Sequence, residues 1–223
     1  MDPLLSLDKV GAEGISQELS LNIAPGASCL FLTSGESESR ALMLMMTGQA
    51  LPEHGRLSIL GYDTAGLNHD DLMQLRLSIG VVTGAGGLIS NLKLWENITL
   101  PLRYHRLEET EEAEKCSLEI LARFGLDDRL MELPGHLSTF ERRVVSFARA
   151  AAISPKIMMY CGCFDNLPAR QRELFLESAV ELHQRKNGIA SIFITSSTTA
   201  LENLKPDISC NLKHKAAETE TTE

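Results

Sequence analysis

Short apolar runs alternate with stretches of helical period along most of the chain. Ser28–Leu32 (SCLFL), Leu57–Leu60, Ile79–Val82, Ile157–Tyr160 (IMMY) and Ile189–Thr195 (IASIFIT) read as strands, and the last two are apolar enough to be buried on both faces. A polar loop after the first of these leads into a short apolar helix, Ala41–Met46, whose methionines (Met43, Met45, Met46) read as core filler. Glu108–Phe124 places Ala113, Ile120, Leu121 and Phe124 at helical spacing. Its acid-rich first turns suit the helix dipole and Gly125 can cap its end. Between the last two strands, Pro168 marks a helix start and Gly188 a helix stop. Ser138 and Glu141 have the S-x-x-E spacing of a capping box. This alternation predicts an α/β layered fold. No repeat or linker divides it, so a single domain is expected over 1–212, followed by a disordered acidic tail over 213–223 that has no apolar face.

Composition narrows the function more than the fold. The net charge of −9 argues against nucleic-acid partners and against an unaided grip on anionic lipid, both of which rely on Lys and Arg. No apolar run reaches the roughly 20 residues of a membrane span, so direct membrane insertion is not expected. Five scattered cysteines with no export signal are expected to be reduced thiols. Cys161-Gly162-Cys163 has tighter spacing than a metal pair, with no second Cys/His pair nearby in sequence, so packing is the expected role and no metal site is predicted.

Four stretches, in order, resemble an ABC-type ATPase from about Leu4 to Leu212. They are LSLNIAPG (Leu19–Gly26) before a strand, loop and helix; IGVVTGAGGLISNLKLWENITLPLRYH (Ile79–His105); Leu137-Ser138 followed by FARA (Phe147–Ala150); and Pro155-Lys156 before IMMY. The second stretch looks like ATPase subunits of the bacterial MCE-type (Mla-like) lipid transporters. The resemblance implies a P-loop NTPase-like core, a mixed or parallel sheet flanked by helices, with a helical lobe at roughly 85–150. It also implies a permease of the inner membrane as partner, at whose cytoplasmic face the subunit would sit, paired with itself or with another ABC ATPase subunit.

Matched residue by residue, the family's chemistry is degraded. A phosphate loop needs glycines whose N–H groups wrap the phosphates, a lysine for their oxygens and Ser or Thr for Mg²⁺. The matching loop runs from Thr33 to Ala41. It places Glu36 and Glu38 on two glycines, Ser39 on the lysine, and Arg40 and Ala41 on the hydroxyl pair. Losing a charge pair near 4 Å at an effective dielectric of 20 costs about 4 kcal/mol, and each carboxylate adds repulsion of similar order. Cys161 and Gly162 stand where the carboxylates for magnesium and water belong, Gly84 on the Q-loop glutamine, Pro168 on the D-loop aspartate and Ser196 on the switch histidine. No aromatic residue precedes Phe31 to stack on adenine. The signature becomes Ser138-Thr139-Phe140-Glu141, adding bulk and negative charge toward a partner's phosphate.

The expectation is therefore an ABC subunit with no catalytic residues and no ATP or magnesium cofactor, serving structure or regulation on a lipid transporter. Leu88, Trp95, Ile98, Leu100 and Leu102 would form its permease-docking surface, with Trp95 either an anchor or core. Two alternatives stand beside it. One is a soluble regulatory protein reusing the fold; the other is an enzyme, either a weak ATPase or a thiol catalyst at Cys161 and Cys163.

Overall fold

The computed structural model describes residues 2–105, 110–185 and 188–213. Two sheets form from the strands. β1 (Leu5–Gly11), β2 (Leu19–Ile23), β4 (His54–Ile59) and β5 (Tyr62–Asp63) make an antiparallel sheet in the order β2-β1-β4-β5. β3 (Ser28–Leu32), β6 (Ile79–Thr83), β7 (Ile157–Cys161), β8 (Ala190–Thr195) and β9 (Ile208–Asn211) make a parallel sheet in the order β6-β7-β8-β3-β9. β7 and β8 are buried at every position, as their largely apolar sequences require, and in β8 the polar Ser191 and Thr195 are buried with the rest. This is the α/β architecture expected, with a parallel sheet flanked by helices.

The helices are α1 (Glu36–Met46), α2 (His69–Arg76), α3 (Leu94–His105), α4 (Thr110–Arg123), α5 (Thr139–Ala152) and α6 (Ala169–Arg185). α1 starts five residues earlier than expected because Glu36 and Glu38 sit in its first turn rather than in the loop. The predicted start at Glu108 and the tail from 214 onward lie outside the described residues.

Three apolar clusters hold the layers together. One packs the antiparallel sheet and α1 against the parallel sheet, and contains Met45 and Met46. A second is aromatic: Phe147, Tyr160, Phe164, Phe175 and Phe193 pack beneath α5 and α6, with Tyr160 stacked on Phe193 at 4.9 Å. A third joins α3, α4 and α5 as a lobe through Leu94, Ile98, Leu102, Leu121, Val144 and Val145. Among the described residues no helix is long and apolar enough to cross a membrane.

Candidate functional site

Parallel strands deliver their C-terminal ends to one edge, and loops at that edge form clefts. Register aligns those ends here: Thr83 pairs with Cys161, Cys161 with Ile194, and Leu32 with Thr195. The loops that follow enclose a cleft of about 320 Å³. Of the residues predicted from the sequence, Glu36, Ser39, Arg40, Gly84, Cys161, Gly162 and Ser196 line it together. A groove of about 360 Å³ between α4 and α6 is slightly larger, but its arginines are already paired, Arg123 with Glu177 and Glu181, Arg185 with Glu119 and Glu181. The loop cleft is the better candidate.

The lysine position has become part of the loop's own scaffold. Ser39 is buried, with its hydroxyl 2.7 Å from Thr33 Oγ1 and donating to Gly35 O at 3.1 Å. Glu38 departs from expectation. Its side chain is buried and folds back, its Oε2 accepting from Ser34 N at 2.7 Å and Ser34 Oγ at 2.9 Å, while Oε1 accepts from Ser16 N at 2.7 Å. Burial opposes ionisation, but the hydrogen bonds from Ser16 and Ser34 outweigh it and hold the carboxyl below its usual range. Glu38 therefore does not simply project charge into the cleft; exposed Glu36 and Arg40 do.

The strand ends are closed in a similar way. Gly162 has φ +62, a left-handed turn suited to glycine, and its N–H donates to Ile194 O at 2.8 Å. A Cβ on Gly84 would lie 2.9 Å from Gly162 O, so the Q-loop position has no room for a side chain without movement. Arg143, buried on α5, locks this region by donating to Gly84 O (2.7 Å), Cys163 O (2.9 Å) and Asp165 O (2.9 Å). Cys161 is pushed up to about 11, first by burial and then by Asp165 and Glu36, so it is a thiol at neutral pH. Burial also drives Cys163 upward, and the residue is wholly enclosed. A thiol catalyst is thereby disfavoured.

Two charged cleft residues escaped the sequence reading. Asp165 is the carboxylate nearest the missing pair: its Oδ2 lies 3.9 Å from where a Cβ on Gly162 would stand. It is occupied, accepting from Thr195 Oγ1 and, at 3.4 Å, from Ser196 N. No motif spacing marks it; the only signal is its place three residues beyond a strand-end glycine. Arg143 was hidden in the ERR run of the signature helix. Among the described residues no three His, Cys, Asp or Glu side chains are grouped to hold a metal.

The signature segment lies outside the cleft. Ser138 and Glu141 form the capping box, Ser138 Oγ accepting from Glu141 N at 3.2 Å and Ser138 N donating to Glu141 Oε2 at 2.7 Å. Two expectations change here. Phe140 turns inward against Phe124 and Phe175, at 5.7 and 6.0 Å, instead of facing a partner's phosphate. Glu141 is ion-paired to Arg129, which screens its charge, while Thr139 stays exposed. The docking set also needs correction. Ile98 and Leu102 are 0% and 2% exposed, in the lobe's own core, and Leu88 packs partly against it. Trp95 is half-buried and Leu100 exposed.

Comparison with known proteins agrees with the fold. The family profile described as "ABC transporter" matches residues 18–160. The ABC transporter ATP-binding protein YtrE of Bacillus subtilis is 29% identical over 200 residues, covering 87% of this chain and 85% of that protein. The probable ribonucleotide transport ATP-binding protein Mkl of Mycobacterium tuberculosis is 27% identical over 149 residues, 67% of this chain, which spans 42% of Mkl's own length. Among solved structures, the dimeric post-hydrolysis state of the ATP-binding cassette MJ0796, bound to ADP and Pi, superposes with a TM-score of 0.79 at 23% identity, covering 94% of this chain and 97% of that one. At that identity the likeness is one of fold.

These findings overturn the expectation that no nucleotide cofactor is involved. The matched relatives are ATP-binding proteins, and ATP with Mg²⁺ is the group that goes with this family. What the residues here do not reproduce is the family's usual set of ligands for it. The loop has no lysine, Arg40 and Ala41 replace the hydroxyl pair, and Cys161 and Gly162 replace the strand-end carboxylates.

Proposed function

This chain belongs to the ABC transporter family, and from that premise we propose that it is a cassette subunit in which hydrolysis has been dismantled while the body that docks on a permease persists. The observation that carries this is the end of β7. Gly162 sits in a left-handed turn with no side chain, Cys161 is an uncharged thiol, and the nearest carboxylate, Asp165, is held by Thr195 and Ser196. Activating water for attack on a γ-phosphate calls for a carboxylate positioned at the strand end, and Asp165 stands three residues beyond Gly162, tied by Thr195 to the end of β8. Arg143 fixes the backbone around this gap, so the arrangement is rigid rather than an open loop awaiting closure.

The partner in this reading is a polytopic permease of an inner-membrane lipid transporter of MCE type, with the subunit held at its cytoplasmic face. The support is the Ile79–His105 stretch, which resembles those subunits, and the exposed apolar side chains beside it. Ile89 and Leu100 stand out from the loop before α3 and from α3 itself, and Met131 and Leu133 from the segment before α5. Dimerisation, with a second copy or with an active cassette subunit, belongs to the same reading. Co-purification from detergent-solubilised membranes tests it. A polytopic permease should accompany the subunit and stay bound at moderate salt, because an apolar contact is little affected by screening. A chain that remains wholly in the soluble fraction favours the free-standing regulator instead.

A further inference from the structure

We propose that Arg143 makes the strand-end cleft a phosphate site: its buried guanidinium, reaching in from α5, supplies a cation where the loop has lost its lysine. Arg143 is only 8% exposed, yet none of the ion pairs among the described residues includes it. Its Nε and Nη1 donate to the neutral carbonyls of Gly84, Cys163 and Asp165, which fix its direction without balancing its charge. A charge taken out of water is costly unless it is paired. Among the described residues Nη2 donates to no acceptor, but it is not sealed away. The buried side-chain polar atoms that lack a partner there are Ser146 Oγ and Tyr160 Oη. The open edge of the guanidinium therefore faces the cleft that Arg143 lines.

Two glycines at the degraded motifs leave room for it. A Cβ on Gly84 would stand 3.8 Å from Nη2 and 2.9 Å from Gly162 O, so a side chain there would crowd the guanidinium. Gly162 has no side chain to intervene, and a Cβ on it would meet Asp165 Oδ2 alone within 4 Å. Across the cleft lies α1: Cys161 Sγ donates to Ser39 O at 3.5 Å, and both residues belong to the same lining. Two carboxylates share that lining. Asp165 is held by Thr195 and Ser196, and Glu36 is exposed on the first turn of α1, where solvent screens it. A guanidinium keeps its charge at any physiological pH and matches the oxygens of a phosphate. Free phosphate and the terminal phosphate of a nucleotide offer it the same chemistry. The inference concerns what the cleft holds and draws nothing from the loss of hydrolysis or from a permease.

Titration calorimetry at constant ionic strength, with inorganic phosphate and separately with Mg-ATP, tests the site in wild type, Arg143→Gln and Arg40→Gln. Arg143→Gln should weaken whichever of the two binds by about tenfold or more, the loss of a charge-assisted hydrogen bond. Arg40→Gln removes an equal but exposed charge from the same cleft and should weaken it by only about twofold to threefold. Binding of phosphate by itself identifies the free ion as a ligand, and binding of Mg-ATP without phosphate identifies the nucleotide. If Arg143→Gln does not fold, the wild-type chain carries the test. The guanidinium ¹⁵N resonances of Arg143 should shift as the anion is added. Those of Arg149, bonded to Gly86 and Gly87 carbonyls and outside the lining, should not. Binding of neither anion would overturn the site. So would equal weakening by the two substitutions, a folded Arg143→Gln that binds as wild type does, or an unmoved Arg143 signal. Hydrolysis of ATP by the chain would contradict the proposed loss of catalysis and leave the phosphate site standing.

Discussion

Restoring the family's water-activating glutamate by Gly162→Glu is expected to destabilise the fold before it restores any chemistry. Gly162 has φ +62, where an L-residue costs about 1–2 kcal/mol relative to glycine. Space is not the obstacle, because a Cβ there meets only Asp165 Oδ2, at an ordinary 3.9 Å. Charge is the second cost. Two carboxylates about 4 Å apart at an effective dielectric of 20 repel by about 4 kcal/mol. That is an upper bound, since a glutamate can swing into the open cleft and leave about 1 kcal/mol. The sum is about 2–3 kcal/mol, and a chain of this size loses about 2–4 °C of melting temperature per kcal/mol. Thermal melts followed by circular dichroism should fall by about 2–8 °C for Gly162→Ala, which carries only the backbone cost. The fall should be larger for Gly162→Glu and smaller for Gly162→Asn, because asparagine tolerates the left-handed region. Adding Asp165→Asn to Gly162→Glu should return part of the loss, the coupling that a double-mutant cycle reads. If Gly162→Ala and Gly162→Glu both melt at the wild-type temperature, the left-handed turn is not enforced and the rigid-gap reasoning is wrong.

Other expectations follow from the same geometry. Gly84→Gln, which rebuilds the Q-loop, should cost about 1–3 kcal/mol in a denaturant melt, because its Cβ is driven to 2.9 Å from Gly162 O; an unchanged midpoint would show that the strand ends can part. Cys161, raised from 9.0 to about 11, binds its proton more tightly folded than unfolded. Its contribution to stability is therefore intact below pH 9 and drains away as pH climbs toward 11. Wild type should lose stability over that window more steeply than Cys161→Ala, and matching slopes would refute the assignment. Ile98→Ala should destabilise the lobe by about 2–5 kcal/mol, whereas Leu100→Asp should leave the melt nearly unchanged and release the permease. A folded Leu100→Asp subunit that stays docked would move the contact elsewhere on the surface.

The core strands were legible because their residues are predominantly apolar, IMMY wholly and IASIFIT but for Ser191 and Thr195, as interior strands require. β1 was not, because its alternation of Leu5, Leu7 and Val10 breaks at an irregularity between Leu7 and Val10 where Lys9 takes φ +50. α2 was missed because Leu75 is the residue it buries, too little for a helical period to show. The lobe offered a signal that was passed over. Leu94, Ile98 and Leu102 recur every four residues and form the buried stripe of α3, leaving Leu100 on its outer face. In the cleft, residue types could be matched to motifs but their directions could not. Glu38 reads as a charge facing phosphate until its return to Ser34 is seen, and Phe140 reads as an obstruction until it turns into the aromatic cluster. Asp165 lies outside every motif, and only the turn at Gly162 brings it back to the cleft.

The central claim is loss of hydrolysis in a chain that keeps the family's body. It is tested most directly by single-turnover release of γ-phosphate from radiolabelled Mg-ATP, with the subunit in excess and with its co-purified permease present. Release should match the protein-free rate, and Asp165→Asn should leave it there, because there is no catalysis for that substitution to remove. Release well above that rate, and lost on Asp165→Asn, would show that Asp165 has taken over the role of the missing glutamate and that the subunit is an ATPase.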